Sequence, residues 1–160
     1  MLLFELGNTE LPSEHKSGTY HGMPTDFYEF TSKSGNEIIL RIFNIADFSA
    51  APNYLNVRGS GIGIDFDNTS ASDVQGITGT GDQNEILSTV HNIIGTEIKQ
   101  KNPQFIGLGA HEASRQSLYE RWLKLIARQF GYKILPPDEY LTDIHDNIMG
   151  TAKFYLLQKK

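Results

Sequence analysis

The sequence predicts one α/β domain over residues 1–160, a mixed central sheet with helices on its faces. Three observations predict it. Residues 27–66 are rich in β-branched and aromatic side chains and broken by turn residues, as in a strand meander. Residues 82–130 carry two apolar stripes of helical period, each followed by a short apolar run. The order strands, helix, strand, helix, strand, loop, strand is that of a mixed sheet joined by helical crossovers.

Each element has its own signal. Residues 1–26 hold Gly, Ser, Thr, Pro and His without a sustained period, and read as a short apolar start followed by loop. FYEFTS and EIILRIFNI read as two strands about a Ser34-Gly35-Asn36 breaker. A third strand is expected at Tyr54–Val57 and a fourth across Gly61–Phe66, where Ile62, Ile64 and Phe66 alternate with small or acidic residues. Asp82 with Glu85 three positions on resembles a capping box. Ile86, Val90, Ile93, Ile94 and Ile98 then follow the helical period to Asn102-Pro103. QFIGLG reads as a buried strand. Leu118, Trp122, Leu125, Ile126 and Phe130 make the second stripe, with Arg115, Glu120, Lys124 and Arg128 outward and Gly131 as the stop. Strands at Tyr132–Leu135 and at AKFYLLQ close the chain.

Composition narrows the function classes. The chain has 14 Lys+Arg against 19 Asp+Glu, a formal charge of -5. Residues 113–133 are locally basic, but nucleic-acid binding needs a concentrated positive surface, and a solvated helix face accounts for that run. With no cysteine, disulfides, thiolate metal sites and cysteine nucleophiles are excluded. No apolar run approaches the ~18 residues of a membrane span. The start MLLFELGNTELPSE lacks a basic region and meets Glu5 early, unlike a signal peptide. These features read as a cytoplasmic protein without a membrane partner.

Two stretches could carry chemistry at strand ends. Gly79-Thr80-Gly81-Asp82 precedes a helix, where backbone N–H groups and the helix dipole could hold a phosphate. Asp82 and Glu85 bring negative charge to the same place, and a self-capped helix start accounts for them too. His111 and Glu112 follow a predicted strand, where α/β proteins place ligands, and are general-base candidates. Solvated loop residues would read the same way. No pair of histidines has metal-ligand spacing, so no metal is assigned.

TGTGDQNEILSTVHNII, PQFIGLGAHEASRQSLYERWLKLIARQFGYKI and KFYLLQK together resemble the GCN5-related N-acetyltransferase fold. That family runs strand, glycine-containing loop, helix, strand, helix with a Leu-Tyr pair, Gly-aromatic and closing strands. Leu118-Tyr119 and Gly131-Tyr132 fall in those places, and the resemblance covers residues 78–160. Ser114-Arg115, Leu118-Tyr119 and Arg121 also resemble uncharacterised phage and prophage proteins.

The resemblance implies acetyl-CoA held by Gly79, Thr80, Gly81 and Asp82. It also implies Tyr119 as the acid that protonates the departing thiolate. A phenol of pKa about 10 can give its proton to a thiolate of pKa about 8–9 at little cost. The chain departs from the family in its acidic helix start and in the long separation of Leu-Tyr from Gly-Tyr. A scaffold that has lost the cofactor is therefore the alternative, as a virion-associated or host-interacting phage protein with a protein partner in host cytoplasm or virion. In the active form the partner is a small-molecule or protein amine.

A third reading rests on Asp65-Phe66-Asp67-Asn68-Thr69, which resembles motif I of haloacid-dehalogenase phosphatases. There the first Asp attacks phosphorus, the second is acid/base, and Mg²⁺ lies between carboxylates. Asp143 and Asp146, with Lys99, Lys101 or Lys124, would complete the set. An Asx-rich turn after a strand accounts for the same letters.

Overall fold

The computed structural model describes residues 11–50, 57–68, 83–110, 113–136 and 153–160. Its elements are β1 (Glu14–Tyr20), β2 (Met23–Thr31), β3 (Glu37–Ile45), β4 (Gly61–Asn68), α1 (Gln83–Lys101), β5 (Phe105–Ala110), α2 (Ala113–Phe130), β6 (Tyr132–Ile134) and β7 (Lys153–Lys159). The strands form one 7-stranded sheet in the order β1-β2-β3-β4-β5-β7-β6. Neighbours are antiparallel except β4 and β5, which run parallel.

The expected loop at the start is in part a hairpin. His21 and Gly22 both have positive φ, 50° and 80°, between the paired Tyr20 and Met23. Positive φ at both central residues is the two-residue turn whose twist suits a hairpin. Every residue of β1 before Tyr20 is exposed, because β1 is an edge strand, so no buried alternation marks it. The expected strand Tyr54–Val57 lies outside the described residues except Val57, which is buried but not in a strand.

Both helices pack on one face of the sheet, where the sequence suggested helices on its faces. Phe30, Leu40, Ile42, Ile62, Ile64, Ile106, Leu108 and Leu157 share that face through their register. They form one cluster with Ile86, Val90 and Ile94 of α1 and Trp122, Leu123 and Ile126 of α2. The reason is handedness. The crossovers β4–α1–β5 and β5–α2–β6 step the same way along the sheet, and right-handed crossovers then lay their helices on the same side.

The helices also meet each other closely. A Cβ on Gly95 would lie 3.1 Å from Phe130 Cζ. The indole Nε1–H of Trp122 donates to Nδ1 of buried His91 at 3.1 Å. Both helices stop as expected. Asn102, at φ 47°, donates its N–H to the Ile98 carbonyl before Pro103, and Gly131, at φ 81°, donates to the Ala127 carbonyl. Among the described residues no helix is long and apolar enough to cross a membrane.

Candidate functional site

Among the described residues β4 and β5 are the one pair of neighbouring strands that run parallel, and a helical connection follows each of them. The lower part of this pair is tight. A Cβ on Gly61 would stand 2.0 Å from the Phe105 carbonyl oxygen, so only glycine lets the two backbones approach. Gly63 faces Gly107 in the same register. The ladder runs from Gly61↔Phe105 to Ile64↔Leu108. Beyond it, β4 continues beside β3 as far as Asn68, while β5 continues beside β7 as far as Ala110. Backbone pairing between the two strands thus stops short of their C-terminal ends.

In open α/β sheets ligands bind beyond the carboxyl ends of parallel strands, where helix N-termini present N–H groups without intrahelical partners. The chain runs from Asn68 to α1 through Gly79, Thr80, Gly81 and Asp82, and from Ala110 to α2 through His111 and Glu112. These six residues lie outside the described residues, so their side chains have no geometry to report. Their connections leave these two strands. In the first turn of α1, Glu85 pairs with Lys33 at 3.2 Å, which offsets one of the two acids at the helix start.

Tyr119 is 3 % exposed on α2, in the apolar cluster and with its ring 6.2 Å from that of Trp122. The resemblance placed it as an acid; its ring is also a packing element. Leu123 and Ala127 join Tyr119, Trp122 and Ile126 to make the buried stripe of the helix. Glu120, expected outward, is half-buried and its carboxylate accepts from the Tyr155 hydroxyl at 3.3 Å.

Asp65 and Asp67 lie two apart on β4 and so share the sheet face opposite the helices. Arg41, directly across from Asp65 on β3, places Nη1 at 2.9 Å from Asp65 and 2.8 Å from Asp67. Its guanidinium also lies 4.7 Å from the centre of the Tyr20 ring. Burial would lower the Arg41 pKa, but the two carboxylates outweigh it and raise it. Lys99, Lys101 and Lys124 are on helices at the other face, and Asp143 and Asp146 lie outside the described residues. The described residues therefore do not assemble the phosphatase set. The Asp-x-Asp letters are accounted for by a cross-strand ion pair.

A second polar constellation sits on the helix face, between β1–β3 and the C-terminal end of α1. Asp26 of β2 is its centre. His15 Nε2 lies 2.9 Å from Asp26 Oδ1, and the Ser17 hydroxyl donates to the same oxygen at 3.1 Å. Lys101, the last residue of α1, donates to Asp26 Oδ2 at 2.5 Å and to Asn44 Oδ1 at 2.7 Å. Its ammonium also lies 2.7 Å from Glu97 Oε2. The Tyr28 hydroxyl donates to Glu97 Oε1 at 2.5 Å, and the Tyr28 ring stacks on His15 at 4.4 Å.

The protonation states follow from these partners. Burial would raise the Asp26 carboxyl, but hydrogen bonds from Lys101, His15 and Asn44 overcome it and hold it well below its ordinary range. Burial would lower Lys101, but bonding to Asp26 and Glu97 raises it. Burial and the bond to Glu97 both push the Tyr28 phenol above its usual value. Sequence reasoning missed this constellation. Two signals could have found part of it: the i,i+4 pair Glu97/Lys101, and the His21-Gly22 turn that sets His15 beside Tyr28 and one step from Asp26.

The chain belongs to DUF6934, a family of unknown function whose profile matches residues 19–134. That match takes in β2 through β6, both helices included, and with them the parallel pair and the connections that leave it. No curated protein and no solved structure matches the chain.

Proposed function

We propose that this DUF6934 chain is an acyl-CoA-dependent N-acyltransferase with the topology of the GCN5-related family, binding acetyl-CoA where the pairing of β4 and β5 ends. The observation that carries the reading is the end of the parallel ladder at Ile64↔Leu108, with a helical connection leaving each strand beyond it. Strand ends no longer paired with each other offer backbone amides and carbonyls to an extended ligand, and the pantetheine arm of CoA carries amides that can bond there. Support also comes from the order β4, connection, α1, β5, α2, β6, β7, which follows the order that the resemblance implies. The Lys33–Glu85 pair reduces the charge that a diphosphate would meet at the start of α1.

In this reaction the amine nitrogen attacks the thioester carbonyl carbon and the carbon–sulfur bond breaks. Glu112 or His111 takes the proton from nitrogen, and the Tyr119 hydroxyl supplies one to the departing sulfur. Gly79, Thr80 and Gly81 offer backbone N–H groups to the diphosphate, and Asp82 is the acid that opposes it. Calorimetric titration with acetyl-CoA and CoA, on the wild type and on Asp82→Ala, tests the reading. Micromolar binding by the wild type supports it. Binding gained only in Asp82→Ala favours a scaffold closed by charge, and no binding in either overturns the reading in favour of a protein-binding role.

A further inference from the structure

We propose that His15, Asp26 and Glu97 form a divalent transition-metal site, in which the Lys101 ammonium stands where the metal ion would bind. The three ligands come from β1, β2 and α1, and one atom of each lies within 4.8 Å of the others. Ligands bound at about 2.0–2.2 Å stand no more than roughly 4 Å apart, so the set needs to contract by about 1 Å or less to close around an ion. The site is separate from the C-terminal ends of β4 and β5. His15 and Asp26 stand on β1 and β2, with β3 between them and β4, and Glu97 lies near the C-terminal end of α1.

Charge is the second argument. Two carboxylates, Asp26 with a side chain 14 % exposed and Glu97 with one 2 % exposed, share one ammonium. Glu97 Oε2 is buried, and the partner it meets among the described residues is that ammonium, 2.7 Å away. A divalent ion neutralises both carboxylates at once, which one ammonium does not. Lys101 ends α1 with its side chain 28 % exposed, so solvent is within its reach, and the negative end of the helix dipole favours whichever cation occupies the site.

The surrounding residues already fix the ligands as outer partners of a metal site do. Ser17 and Asn44 donate to Asp26, and Tyr28 donates to Glu97. One imidazole and two carboxylates suit zinc and its first-row neighbours and are a poor set for magnesium, which prefers oxygen donors and retained waters.

Calorimetric titration of the metal-free full chain with zinc chloride tests this, with magnesium chloride as the comparison ion. The expected result is one saturable zinc site per chain, lost in His15→Ala and kept in His21→Ala. Lys101→Met should bind zinc more tightly than the wild type, because the competing ammonium is gone. Asn44→Ala should bind roughly tenfold or more weakly, as loss of an outer partner does. Trp122 fluorescence confirms that each variant is folded. Absence of saturable zinc binding in both wild type and Lys101→Met overturns the proposal, as does binding that survives His15→Ala. Neither outcome bears on acyl-CoA binding.

Discussion

Replacing His91 by leucine should destabilise the protein by removing the acceptor of its single tryptophan. Trp122 is fully buried, and its Nε1–H donates to His91 Nδ1. An indole nitrogen only donates, so Nδ1 is unprotonated; the ring proton is on Nε2 and is donated to Gln129 Oε1 at 2.9 Å. Leucine fills similar space but leaves the indole N–H buried without a partner, at a cost of ~1–3 kcal/mol. For a domain of this size each kcal/mol moves Tm by about 2–4 °C, so a loss of about 2 kcal/mol lowers Tm by about 4–8 °C.

The same pair sets a pH dependence. Burial lowers the His91 pKa below its ordinary 6.5, against the opposing hydrogen bond to Gln129. Above pH 6.5 neither folded nor unfolded His91 is mostly protonated, and its contribution is complete. As pH falls from there through the folded pKa, the unfolded chain binds the proton first and that contribution is lost. Thermal or urea melts followed by Trp122 fluorescence at pH 7.5 and 5 should show the wild-type advantage over His91→Leu shrinking at the lower pH. An advantage that stays constant would refute the lowered His91 pKa, and a variant as stable as the wild type would refute the Trp122–His91 bond as a stabilising contact.

Other outcomes follow from single contacts. Gly61→Ala should cost on the order of 3 kcal/mol or more, since its Cβ would overlap the Phe105 carbonyl and drive β4 from β5; a urea melt measures it. Gly22→Ala should cost ~1–2 kcal/mol, because it forces an L residue to φ 80° in the β1–β2 turn, and the loss should appear first as faster amide exchange in β1. Arg41→Met leaves two carboxylates facing each other, each more than a third exposed, so its loss should be modest, about 1 kcal/mol. Salt should narrow the gap to the wild type by screening that repulsion.

Most regular elements were legible because their signals are local. The stripe from Ile86 to Ile98, the stop at Asn102-Pro103 and the stop at Gly131 all lie within a few residues of what they determine. The β1–β2 hairpin was missed because His-Gly is a rarer turn pair than Asn-Gly, and because an exposed edge strand needs no apolar alternation. Placement of both helices on one face depends on both crossovers stepping the same way along the sheet, an order set by long-range strand pairing that no local pattern announces. The candidate residues at strand ends were found from their neighbours along the chain. The Asp26 constellation joins residues as far apart as His15 and Lys101, and only the fold brings them together.

Mapping backbone amide shifts by NMR while CoA is added is the most direct test of the central claim. Shifts should concentrate at Ile64–Asn68, Leu108–Ala110 and the first turn of α1, with the His15–Asp26 region unmoved. No shifts at saturating CoA, or shifts confined to surfaces away from those strand ends, would contradict it.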